Sequence, residues 1–222
     1  MTRLTTRGFH WSVVVVSLMI CSYVLLDAQS GCPTVSQSVS SNGVTSWGLQ
    51  ASSNVSVSVQ VVDGSQGNFS ESQVSTVSTA SSGLISAVNQ IPGSNVTQTV
   101  ENTDTPPNLN DGTTTNPIIE VVMATQAQIN AAGCVGDSAC TNWKNDGNGH
   151  LLNATILVLP SAVDSSTTFE QLMTHEFGHS DLGEKDCDGC ANTIMNPSIT
   201  SSSPKSPTSC DDTRIKGCEC KK

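Results

Sequence analysis

Residues 173–190 read MTHEFGHSDLGEKDCDGC. Within them, His175-Glu176-Phe177-Gly178-His179 sets two imidazoles four positions apart. On a helix, residues at that spacing stand one above the other on one face, so both rings can address one ion. Neutral imidazole nitrogen is a good zinc ligand. Glu176 lies one step round the helix, beside such an ion rather than bound to it, where a carboxylate can serve as general base. Whether this segment is a helix, and what surrounds it, decides fold and function together.

The segment has the marks of an amphipathic helix. Thr167 and Glu170 form a T-x-x-E capping box ahead of it, and Phe169, Leu172, Met173 and Phe177 supply packing residues. Two imidazoles are too few ligands, and the inventory restricts the third. The remaining histidines are His10, in an N-terminal apolar leader, and His150, in a turn-rich loop. No histidine follows His179, so the third ligand is a carboxylate, a thiolate or solvent. Asp186 is the preferred acid. Gly183 lets the chain leave the helix with positive φ and double back, returning Asp186 to the ion three residues later. Asp181, Glu184 and Asp188 compete with it in the same stretch, and Glu219 is a distant alternative.

Upstream, Asn153–Leu159 (NATILVL) reads as a strand closed by Pro160. Pro117–Ala124 (PIIEVVMA) is a continuous apolar run of the kind buried on both faces. Val55–Val62 (VSVSVQVV) alternates valine with polar residues and predicts a half-buried strand. Between them, Ser70 with Gln73 forms a capping box for a helix to about Gln90, with Val74, Val77, Leu84, Ile85 and Val88 on one face. Asn95–Val100 is a weaker strand, residues 125–132 a helical turn, and 134–149 a long loop. The order strand, helix, strand, strand, strand, helix predicts an α/β (α+β) domain with helices packed against a sheet.

At the N-terminus, Arg3 and Arg7 precede an apolar run from Trp11 to Leu26 and then the small residues Ala28 and Ser30, the pattern of a secretory signal over 1–28. Residues 29–53 form a Ser-rich extension, 54–200 the catalytic domain, and 201–222 a Cys/Lys-rich tail with little to bury. Of nine cysteines, Cys21 falls in the signal, and the other eight predict disulfides in an exported chain. Cys134–Cys140 and Cys187–Cys190 close the shortest loops. A thiolate zinc site from Cys187, Cys190, Cys218 and Cys220 is the weaker alternative, because the last spacing is unusual and the compartment oxidising. The formal charge of −10 argues against nucleic acid or an anionic membrane as partner. No second apolar run is long enough to cross a bilayer, so no membrane association is expected after signal removal. Asn-x-Ser/Thr sequons stand at Asn54, Asn68, Asn95 and Asn153.

The stretch HEFGHSDLGEKD, followed by Ile194-Met195-Asn196-Pro197, resembles the metzincin clan of zinc metallopeptidases. That pattern is H-E-x-x-H-x-x-G-x-x-H or D, with a tight turn holding a methionine further on. The resemblance covers residues 168–197. It implies His175, His179 and Asp186 as ligands of one catalytic zinc, Glu176 as general base, and Met195 as the apolar residue beneath the metal. It also implies a metzincin-like twisted mixed sheet with an antiparallel edge strand, a backing helix and an active-site helix. The activity it implies is that of a secreted metalloendopeptidase acting on peptides or proteins. By the same analogy, Asn153–Leu159 is the candidate edge strand that would pair with substrate. This chain departs from the pattern in having Leu182 and Lys185 where glycine and the third ligand would fall. Gly183 and Asp186 each lie one position later, as if a bulged helix end absorbed one extra residue. No tyrosine follows the turn, since Tyr23 in the signal is the only one. The rival expectation is a secreted Ser/Thr-rich binding or surface protein with a degenerate, non-catalytic metal site.

Overall fold

Alternating valines decide the middle of the molecule. In β1 (Asn54–Val62), Val55, Val57, Val59 and Val61 are fully buried on one face, while the intervening polar residues point the other way. The computed structural model describes residues 49, 54–90, 94–165, 167–183, 186, 193–208 and 211. The expected signal over 1–28, nearly all of the Ser-rich stretch 29–53, Cys187–Cys190, Glu184, Asp188 and Glu219 lie outside the described residues.

β1 pairs in parallel with β2 (Asn95–Thr103) on one side and with β3 (Ile118–Met123) on the other. β3 pairs in parallel with β5 (Leu151–Val158), and β5 pairs antiparallel with β4 (Ala139–Asn145). The sheet order is β2-β1-β3-β5-β4, a five-stranded mixed sheet with its antiparallel strand at one edge. The fold is therefore mixed α/β, with the expected antiparallel edge. The edge strand is β4, not the stretch Asn153–Leu159, which sits inside the sheet as β5 between β3 and β4. The loop expected over 134–149 thus contains a strand, entered through the Cys134–Cys140 disulfide.

The long helix α1 (Glu71–Val88) begins at the Ser70–Gln73 capping box, with Gln73 N donating to Ser70 Oγ and Ser70 N to Gln73 Oε1. Its buried residues Val77, Ala80, Leu84 and Ile85 face the sheet. A short helix α2 (Gln126–Ala131), also opened by a capping box, packs Ile129 with Cys140 on the other side of the sheet. After β5, Pro160 starts a single turn, α3 (Pro160–Val163). The helix α4 (Phe169–Asp181) then lies beside α1 and against β4 and β5.

The Thr167–Glu170 box does not form. The N-cap is Thr168, with no side-chain cap bond. Glu170 pairs with Lys205 at 2.6 Å instead, and Ser165 O takes the N–H groups of Thr168 and Phe169. The tail also departs from expectation. Gln171 Nε2 donates to Ser201 O and Thr174 Oγ1 to Lys205 O, so residues beyond 200 lie along α4. At the other end, Leu49 is buried and its N–H donates to Asp181 O at 2.8 Å, so the last part of the extension also touches the core.

On the face opposite α1 and α4, the sheet carries a polar row in register: Glu101, Gln60, Glu120, Thr155 and Asn142. Burial raises the Glu120 carboxyl above its ordinary value, and the bond from Thr155 Oγ1 at 3.2 Å partly offsets that. A raised folded-state value means protonation favours the fold. This contribution is complete below the unfolded value and is lost as pH rises through the folded one. Glu120→Gln keeps an acceptor for Thr155 without the charge. Urea unfolding should show it more stable than wild type at pH 7, with the difference gone below the ordinary carboxyl value of 4.5. An equal or larger gain at acid pH would contradict this.

Candidate metal centre

The helix α4 is almost wholly buried although much of it is polar, so each polar side chain needs a partner inside the protein. His175 Nδ1 lies 2.8 Å from Ile194 O. A carbonyl only accepts, so Nδ1 carries the proton and Nε2 of the neutral ring presents a lone pair. That Nε2 lies 3.2 Å from His179 Nε2. Beyond the helix, Leu182 caps the last turn and Gly183 adopts φ +63°, the left-handed conformation that reverses the chain. The helix stays regular to its end, with Leu182 N donating to Gly178 O at 3.3 Å, so the bulged helix end expected there does not form. After the reversal, Asp186 Oδ1 comes to 3.2 Å from His175 Nε2 and 3.4 Å from His179 Nε2.

Two imidazole nitrogens and a carboxylate oxygen therefore form a nearly equilateral triangle, and all three ligand atoms lie within 4.8 Å of one another. Tetrahedral zinc with bonds of about 2.0–2.1 Å has ligand–ligand edges of about 3.3–3.4 Å, whereas an octahedral arrangement at those bond lengths needs about 2.8–3.0 Å. The observed edges of 3.2, 3.2 and 3.4 Å fit the tetrahedral case. The mixed nitrogen and oxygen donors do not suit calcium, which takes six or more oxygens. The side chain of Asp186 is 52% exposed, against 7% for His175, so the triangle opens to solvent on the aspartate side. The two imidazoles hold the Asp186 carboxyl well below the usual carboxylate range.

Glu176 is buried beside this group. Thr141 Oγ1 on β4 donates to its Oε2 at 2.5 Å and lies 3.2 Å from its backbone carbonyl. Burial pushes the Glu176 carboxyl up, while His175, His179 and the Thr141 hydroxyl pull it back. Two positions along β4, Trp143 lies parallel to the His179 ring, with centroids 6.0 Å apart and 7° between the planes. Neither Thr141 nor Trp143 was singled out from sequence. Their signal is the alternation of Thr141 and Trp143 with Asn142 and Lys144, the strand pattern that places both on the α4 side.

Met195 is fully buried and packs under the helix. A Cβ on Gly178 would collide with Met195 Sδ and reach Ile194 Cδ1 at 3.2 Å, so the glycine of the HEFGH run is what lets the turn approach. Of the competing acids, Asp181 is buried away from the triangle. It accepts from Ser180 Oγ at 3.1 Å, and burial pushes its carboxyl up to about 7. His150 is engaged with Asp146 Oδ2 at 3.2 Å in its own turn.

No family model and no curated protein matches the chain. Among solved structures it is similar to metalloproteinase-II from Bacteroides fragilis, with a TM-score of 0.47 and 12% sequence identity. The match covers 79% of this chain and 56% of the other, so the chain spans little more than half of that protein. Likeness at that level carries no functional inference. No helix among the described residues is long and apolar enough to cross a membrane.

Cobalt added to metal-free protein should quench Trp143 emission, with saturation at a single equivalent. Asp186→Ala should need at least about 10-fold more cobalt, and Asp181→Asn should behave as wild type. A titration unchanged by Asp186→Ala would remove that residue from the site.

Proposed function

We propose that the chain is a secreted zinc metalloendopeptidase of metzincin type. The reading rests on one observation: His175, His179 and Asp186 converge with tetrahedral edge lengths while a buried glutamate stands next to them. His175, His179 and Asp186 would hold the ion. Zinc, when bound there, supplies Lewis acidity that polarises a peptide carbonyl and acidifies water.

The chain's own groups account for the proton movements. The Thr141 hydroxyl occupies Glu176 Oε2, so Oε1 receives the proton from the attacking water. The new C–O bond forms at the scissile carbonyl carbon, the C–N bond breaks, and Glu176 delivers its proton to the leaving amine nitrogen. Burial favours this exchange because it keeps the carboxylate more basic than a solvated one. Among the described residues no strand pairs with the outer edge of β4, and backbone groups along such an edge can hold an extended peptide by strand addition. Met195 serves as an apolar floor and not as a ligand. Export by way of residues 1–28 agrees with the Cys134–Cys140 disulfide.

Glu176→Ala should retain one zinc per chain and lose about 10²–10⁴-fold in cleavage rate on a casein-type substrate. A chelator should abolish wild-type cleavage and zinc should restore it. Undiminished turnover in Glu176→Ala would overturn the proposed role. A wild type that holds zinc but cleaves nothing in a broad peptide library would favour a non-catalytic metal-binding protein.

A further inference from the structure

Asp211 is a completely buried carboxylate in the tail, thirty-two positions beyond the second imidazole of the site. It is surrounded by donors. Thr208 N and Oγ1 donate to Oδ2 at 2.7 and 2.8 Å, Ile194 N donates to Oδ2 at 3.3 Å, and Thr193 Oγ1 donates to Oδ1. The Thr193 hydroxyl in turn accepts from Met195 N at 3.1 Å. Met195 N–H and Ile194 C=O are the two ends of one peptide unit, and that carbonyl accepts the hydrogen bond that His175 Nδ1 donates at 2.8 Å.

The bonds therefore run in one direction, from the Asp211 carboxylate through the Thr193 hydroxyl and the 194–195 peptide to the imidazole. Each acceptor in the series is made a better acceptor by the donor bond its own group makes further along. A negative charge at one end makes the Ile194 carbonyl a stronger acceptor, which fixes the His175 ring with Nδ1 protonated and leaves Nε2 electron-rich. Metal-bound histidines commonly receive this support from a carboxylate in direct contact, and its loss costs roughly 10–100-fold in metal affinity. Here a threonine and a peptide group stand between.

We infer that Asp211 is a positioning residue for the metal centre, acting on His175 through Thr193 and the Ile194–Met195 peptide. The inference rests on the metal-binding reading above but not on peptidase activity. It also gives the tail a role at the site that the sequence pattern around residues 168–197 does not contain.

The test is zinc affinity by competition with a chromophoric chelator, with wild type, Asp211→Asn, Thr193→Val and Thr193→Ser compared. Near-UV circular dichroism checks each fold. Thr193→Val and Asp211→Asn should weaken zinc by about 10-fold or more and shift the visible absorption of the cobalt-loaded protein. Thr193→Ser, which keeps the hydroxyl, should return both readouts to wild type. In metal-free protein, the imidazole nitrogen resonances of His175 should show the Nδ1–H form in wild type and Thr193→Ser, and a mixture in Thr193→Val. Folded variants with wild-type affinity, cobalt spectrum and tautomer would overturn the inference. Failure of Thr193→Val to fold would also overturn it, by assigning the relay a structural role. A wild type that binds no zinc but shows the tautomer response would instead sink the metal reading and leave the relay standing.

Discussion

The imidazole of His175 has two nitrogens with opposite duties, and the bond from Nδ1 to Ile194 O is the one on which the rest of the site depends. It satisfies a buried polar group, chooses the tautomer and aims the remaining lone pair at His179 and Asp186 in a single contact. It also ties two distant pieces of chain together, since Ile194 comes nineteen residues after the histidine. Without that carbonyl, the buried ring could present either nitrogen to His179 and Asp186.

The surrounding fold can be understood as what allows such a bond. The helix α4 carries Gln171, Thr174, His175, Glu176, Ser180 and Asp181 into the interior, where an unpaired polar group costs about 1–3 kcal/mol. Its partners come from three directions: β4 through Thr141, the turn at 193–195, and the tail through Ser201 and Lys205. Gly178 removes the one side chain that would hold the turn away from the helix. The apolar residues Met173 and Phe177, both fully buried, anchor the same helix in the core. Shape and chemistry are thus set by a helix that packs with its apolar residues and is oriented by its polar ones.

Much of this was legible in the sequence. The Ser70–Gln73 box, the valine alternation of β1 and the apolar run of β3 announced their elements, because local preference and tertiary environment agree there. The convergence of His175, His179 and Asp186 followed from helical spacing and from a glycine able to take positive φ. What could not be read came from long-range partners. The strand β4 lacks an apolar run because it is an edge strand, paired among the described residues with β5 alone and held by its contact with α4, so ACTNWKN resembles a loop. Thr167 and Glu170 have the right spacing for a cap, but Lys205, thirty-five residues away from Glu170, takes the carboxylate. Asp211 sits in a Ser/Pro/Lys-rich tail where nothing local marks it as buried.

The central claim is that two imidazoles and one carboxylate of this chain meet at one zinc ion. X-ray absorption at the zinc edge of the loaded protein tests it most directly. The account predicts only nitrogen and oxygen neighbours at about 2.0–2.1 Å, with the scattering pattern of two imidazole rings. A sulfur neighbour at about 2.3 Å, or the signature of a single imidazole, would contradict it and move the metal to the cysteines instead.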